Sequence, residues 1–146
     1  MSQMVDLVIF GGTGDLSTRK LLPALYQLQR HQLADRLNRI IATGRGAIDP
    51  ETFRQEARAN LEKYLPADSW DESVWEAFRE RLDYVQVEAN NPQDYAQLAK
   101  LLDAGTSPGR LYYLATLPSL YGEICQQLQT AGVVNDVSRV VLEKPL

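Results

Sequence analysis

Apolar and polar positions along the chain follow two alternating rhythms. Short apolar runs, partly β-branched, recur at Val8–Phe10, at Arg39–Thr43 around Ile40, Ile41 and Ala42, and at Tyr84–Val87, Leu111–Leu114 and Val140–Leu142. Runs of this length suit strands buried on both faces. Between them, apolar residues return every three or four positions, as on one face of a helix. Leu21, Leu25 and Leu28, with Leu22 beside them, mark the first helix, and Phe53, Ala57 and Leu61 the second. Trp70, Val74, Phe78 and Leu82 mark a third, Tyr95, Leu98 and Leu102 a fourth, and Leu120, Ile124 and Leu128 a fifth. Asp49-Pro50 and Asn91-Pro92 each read as an N-cap followed by proline at the first helical position, and Pro66 ends the second helix. Pro23 falls about two turns inside the first helix, where it is expected to remove a hydrogen bond and bend the axis. Thr106–Gly109 reads as a turn.

Strands alternating with helices require a parallel sheet with right-handed crossovers. The expected fold is therefore a doubly wound α/β domain of the Rossmann-like kind, five strands in the order 3-2-1-4-5, with Val140–Leu142 at one edge. Two helices fill the crossover before the third strand, more than a minimal unit needs.

The first strand runs directly into Gly11, Gly12, Thr13, Gly14, Asp15, Leu16, Ser17 and Thr18, and the first helix starts at once behind them. Strand, glycine turn and helix N-terminus make a phosphate-binding device, because glycines admit a diphosphate close to the backbone and unpaired N–H groups attract it. The spacing Gly11-x-x-Gly14-x-x-Ser17 departs from strict GxGxxG, with Ser17 small enough for close helix–strand packing. A glycine turn that binds nothing is the competing reading. The second strand ends in Thr43-Gly44-Arg45-Gly46, with no acid before Asp49. A carboxylate there would select NAD, whereas Arg45 suits the 2′-phosphate of NADP.

Composition narrows the setting. A chain of 146 residues reads as one domain, and its 45% apolar content is ordinary for a globular protein. A net charge of −4 with no basic run argues against nucleic acid as a partner. Neither a signal peptide nor a run approaching the ~20 apolar residues of a membrane span is visible, so a cytoplasmic location is expected. Cys125 is the lone cysteine and His31 the lone histidine, so neither a disulfide nor a cysteine metal cluster is expected. Cys125 reads as packing and His31 as a solvated helix-end residue. Tyr-x-x-x-Lys, which a short-chain reductase needs for proton transfer, is missing; Tyr95 comes nearest, with Lys100 five residues on.

Several segments together resemble a known family. Asp6 to Leu16, then Arg19-Lys20-Leu-Leu-Pro23-Ala-Leu25-Tyr-Gln-Leu28, is similar to the opening of glucose-6-phosphate dehydrogenases. Tyr113-Leu-Ala115 with Pro118-Ser-Leu-Tyr121, and the closing Glu143-Lys144-Pro145, resemble further motifs of that family. The resemblance implies an enzyme of the pentose phosphate pathway that oxidises glucose 6-phosphate with NADP as hydride acceptor. It places the cofactor's diphosphate on Gly11 to Thr18, its 2′-phosphate on Arg45 and its adenine side near Glu88 and Ala89. Ala115, Leu117 and Pro118 would lie by the nicotinamide, and Lys144 would touch both cofactor and sugar phosphate. Leu117 departs from the family, where relatives often carry a proline. The family's catalytic base sits on an Arg-Ile-Asp-His-Tyr motif in a second domain, which this sequence does not contain. Residues 1–146 are thus expected to form the NADP-binding domain, holding no catalytic residue and binding cofactor without turnover. The whole protein is expected to be a homo-oligomer through the other domain. A free-standing NADP-binding sensor is the alternative, and the lysine of the closing motif argues against it.

Overall fold

The computed structural model describes residues 3–142. Strands β1 (Val5–Phe10), β2 (Leu37–Gly44), β3 (Leu82–Gln86), β4 (Gly109–Leu114) and β5 (Ser138–Leu142) form one sheet in the order β3-β2-β1-β4-β5. Every neighbouring pair is parallel; in register, Ile9 lies between Ala42 of β2 and Tyr113 of β4. The expected order and the expected edge strand are both found.

Five helices connect the strands: α1 (Leu22–Arg30), α2 (Pro50–Tyr64), α3 (Glu72–Arg81), α4 (Pro92–Asp103) and α5 (Tyr121–Thr130). Because side chains alternate across a strand, β1 feeds two cores. Leu7 and Ile9 join Leu22, Tyr26, Phe53, Leu61 and Phe78 under α1, α2 and α3. Val8 and Phe10 join Tyr95, Leu98, Tyr112, Ile124 and Leu128 under α4 and α5. A central strand that is apolar from Leu7 to Phe10, on both of its faces, is the direct consequence of helices on both sides of the sheet.

Helix starts follow their caps. The Asp49 carboxylate accepts from the Thr52 N–H at 2.7 Å, and the Asn91 side chain accepts from the Gln93 N–H at 3.0 Å, each ahead of a proline at the first turn. The third helix departs from its expected span. Asp71 is its N-cap, accepting from Ser73 N–H at 2.8 Å, which leaves Trp70 in extended backbone before the helix. Leu82 at the other end is already strand, paired with Ile40, so β3 starts two residues earlier than the apolar run suggests. The regular four-residue spacing from Trp70 to Leu82 therefore runs from the extended segment before α3, through α3, into β3, its members all packed against one core.

Two expectations about the first helix are also corrected. Leu28 is 39% exposed; Leu22, Leu25 and Tyr26 form the buried face instead. Pro23 does not interrupt a regular helix. A π-helical turn over Ser17–Leu21 precedes α1, with the Leu22 N–H donating to the Ser17 carbonyl, and Pro23 falls in the first turn of α1. The wider turn absorbs the missing donor ahead of the proline, and the helix proceeds. Among the described residues, no helix is long and apolar enough to cross a membrane.

Candidate cofactor-binding site

The carboxyl ends of β1, β2, β3 and β4 converge on one open cleft of about 790 Å³. Its floor is the glycine turn. Gly11 leaves β1 with φ +80°, a left-handed backbone that favours glycine, and a Cβ there would lie 2.6 Å from the Ala115 carbonyl oxygen. Gly12 donates its N–H to the Thr43 carbonyl at 2.9 Å, and a Cβ would come 2.5 Å from the Ala42 methyl. Gly14 differs: a Cβ there would meet only the Gly11 carbonyl oxygen, at 3.2 Å. Two glycines are thus fixed by the fold, and the third keeps backbone bare where it lines the cleft.

The turn is tied from behind. Buried Ser17 donates its hydroxyl to the Gly11 carbonyl at 2.8 Å, and Thr18 donates to the Gly14 carbonyl at 3.0 Å. Asp15 pairs with Arg19 at 3.3 Å on the exposed side. Helical backbone begins at Asp15, directly behind Gly14, and runs through Leu16 into the π-helical turn over Ser17–Leu21. A helix start beside bare glycine backbone suits a bound diphosphate.

The second wall is the loop after β2. The Gly44 carbonyl accepts from the Val87 N–H at 2.9 Å, Gln86 donates its amide to the Arg45 carbonyl at 2.9 Å, and the Tyr84 phenol donates to the Gly46 carbonyl at 2.6 Å. Burial, with the Glu56 carboxylate adding to it, pushes the Tyr84 phenol above its usual range, so it remains a donor at neutral pH. These bonds fix the Arg45 backbone while its side chain stands 84% exposed, with Nε 3.3 Å from the Glu88 carboxylate. Glu88 is itself placed by its N–H, which donates to Asp94 at 2.8 Å. The neighbouring Ala89 carbonyl accepts from the Tyr95 hydroxyl at 2.8 Å.

The third wall follows β4. Ala115 donates its N–H to the Phe10 carbonyl at 2.9 Å, which holds the segment after β4 beside the glycine turn. Leu117, 70% exposed, precedes a single 3₁₀ turn over Pro118–Leu120.

The structure therefore brings Gly11, Thr13, Gly14, Arg45, Glu88, Ala89 and Leu117 to the cleft lining. Gly12, Asp15, Leu16, Ser17, Thr18, Ala115 and Pro118 adjoin it without forming that lining. Lys144, with Glu143 and Pro145, lies outside the described residues. His31 is an exposed residue capping the C-terminal end of α1, at the opposite edge of the sheet. Cys125 is exposed rather than packed, since α5 turns Ile124 and Leu128 inward and its neighbour outward. Sequence reasoning missed the supporting roles of Tyr84 and Gln86 and the presence of Glu123 in the lining. Period-two spacing places Tyr84 and Gln86 on one face of β3, but only the adjacency of β2 and β3 gives them their carbonyl partners.

A doubly wound sheet with a glycine turn at its open edge defines a dinucleotide-binding α/β domain. Residues 8–146 match the family model described as "Glucose-6-phosphate dehydrogenase, NAD binding domain", and the chain belongs to that family. Glucose-6-phosphate 1-dehydrogenase of Mycolicibacterium smegmatis is 43% identical over 145 residues, which are 97% of this chain and 29% of that protein. The crystal structure of the Mycobacterium avium glucose-6-phosphate 1-dehydrogenase superposes with a TM-score of 0.85 at 31% identity, covering 98% of this chain and 30% of the other. A glucose-6-phosphate dehydrogenase in complex with its substrate glucose-6-phosphate gives 0.83 at 26% identity, covering 99% and 31%. The chain thus spans under a third of the length of these relatives.

Proposed function

We propose that this chain is the cofactor-binding part of an NADP-dependent glucose-6-phosphate dehydrogenase, an enzyme that oxidises glucose 6-phosphate to 6-phosphogluconolactone. The observation that carries the reading is the pairing, at one sheet edge, of bare glycine backbone at Gly14 with the Arg45 guanidinium at the end of β2. Family membership and the names of the relatives support the substrate. Bound NADP supplies the hydride acceptor. The chain's own part is to hold it: Gly11 to Thr18 receive the diphosphate, and Arg45 takes the 2′-phosphate through charge-assisted hydrogen bonds. Glu88 and Ala89 border the adenine side, while Ala115, Leu117 and Pro118 border the nicotinamide side. Lys144 is assigned to both sugar phosphate and cofactor.

His31, the one histidine of the sequence, lies at the far edge of the sheet and not in the cleft, so no imidazole is placed there to act as a general base. The 146-residue chain by itself is therefore expected to bind cofactor without reducing it. Calorimetric titration tests the site. Arg45→Ala removes a charge-assisted contact to phosphate, so NADP affinity should fall roughly ten- to a hundredfold while NAD affinity stays within about twofold. Equal losses for the two cofactors would overturn the role of Arg45.

A further inference from the structure

NADP and NAD differ only at the ribose 2′ position, and the residue assigned to that position already has a partner. Arg45 Nε lies 3.3 Å from the Glu88 carboxylate, across the ends of β2 and β3. The pair is not an accident of two loose side chains. The Arg45 carbonyl is held by Gln86 at 2.9 Å, the Gly44 carbonyl by the Val87 N–H at 2.9 Å, and the Glu88 N–H by Asp94 at 2.8 Å. Both backbones are therefore clamped at a separation that lets the two side chains meet.

Its contribution to folding is small, because Arg45 is 84% exposed and Glu88 43% exposed, and pairs that open to water contribute little. Its setting in the cleft matters more. Among the described residues of the lining, Arg45 is the sole cation, and Glu88 and Glu123 are the acids. A 2′-phosphate entering this wall meets one guanidinium that is already shared, with a carboxylate beside it. A 2′-hydroxyl entering the same wall meets an acceptor of the kind that dinucleotide sites use for it.

We propose that Glu88 is a specificity-determining residue that tempers the preference for NADP and lets NAD use the same site. The carboxylate competes with the 2′-phosphate for Arg45, repels that phosphate directly, and accepts a hydrogen bond from the ribose hydroxyl of NAD. This rests on the assignment of Arg45 to the 2′ position. The pair would thus hold two opposed preferences, one on each strand end.

The experiment is calorimetry of NADP and NAD with the wild-type chain, Glu88→Gln, Glu88→Asp and Arg45→Ala, with thermal unfolding of each. Removing one like charge several ångströms from a phosphate should tighten NADP about threefold to tenfold. NAD should bind no better to Glu88→Gln than to the parent, and melting temperatures should match. Glu88→Asp keeps the carboxylate and should keep the parental ratio of the two affinities. A ratio within twofold of the parent in Glu88→Gln, while Arg45→Ala still loses NADP selectively, would overturn the role of Glu88 and leave the site reading standing. A ratio unchanged in both variants, or a parent that binds neither cofactor, would overturn the site reading and this proposal with it.

Discussion

A side chain at position 12 would sit 2.5 Å from the Ala42 methyl, inside the packing of helix on sheet, whereas one at position 14 would meet a single carbonyl oxygen at 3.2 Å. The same substitution therefore has different consequences two residues apart. Gly14→Val should leave the fold intact and abolish cofactor binding, because its branches occupy the space that a diphosphate must enter. Gly12→Val should lose the fold, since β2 cannot retreat without breaking its pairing with β1 and β3. Circular dichroism with calorimetry on both variants separates these outcomes; native dichroism with unaltered NADP affinity in Gly14→Val would show that the turn is merely structural. At this scale the candidate glycines and Arg45 were legible in the sequence, because local spacing marks them. The division of labour among the glycines was not, and neither was the Arg45–Glu88 pair. Both depend on register and on which atoms meet across neighbouring strands, which no local spacing contains.

At the scale of elements, the type of each was legible and its limits were not. Tyr26 shows why. It is fully buried, stacked on Trp70 at 5.7 Å and edge-on to Phe78 at 5.8 Å. Its hydroxyl accepts from the Asp71 N–H at 2.9 Å and lies within 3.4 Å of the Ser69 carbonyl. That single hydroxyl joins α1 to the N-terminus of α3, across 45 positions of sequence. Trp70 is therefore partly buried by an aromatic partner and not by a place on a helix, and an apolar spacing rule has no means to tell the two apart. Pro23 teaches the same point: the π-helical turn ahead of it is a backbone solution that leaves no mark in the apolar pattern. Tyr26→Phe keeps the ring contacts and strands the Asp71 N–H, for which a loss of about 1–2 kcal/mol is expected. Urea denaturation of the parent and the variant measures it, and a difference below about 0.5 kcal/mol, the scale of an ordinary surface change, would mean that water replaces the hydroxyl.

At the scale of the whole molecule, sheet order follows from the alternation of strands and helices, and was legible because the handedness of crossovers leaves few topologies. What closes the edge opposite the cleft was not legible. Asp6, the second residue of β1, is fully buried and pairs with Arg39 of β2 at 2.7 Å. Arg39 also donates to the Leu101 carbonyl at 2.9 Å near the end of α4, so one guanidinium links two strands and a helix. Both Arg39 contacts fall on Asp6 Oδ2, and Oδ1 has no hydrogen-bond partner among the described residues, which makes the ion pair the main compensation for a charge out of water. Removing the partner of a buried charge typically costs about 3–5 kcal/mol, against about 5–15 kcal/mol for the stability of a whole domain. Arg39→Gln should therefore leave the chain barely folded, although its site lies at the other end of the sheet. Asp6→Asn in the same chain removes the stranded charge, and the double variant should regain at least half of the loss. Urea unfolding of the parent, both single variants and the double variant completes the cycle. A loss under about 1 kcal/mol for Arg39→Gln, within the ordinary range of single substitutions, would mean that the packing of α4 and the strand pairing hold this edge without the ion pair.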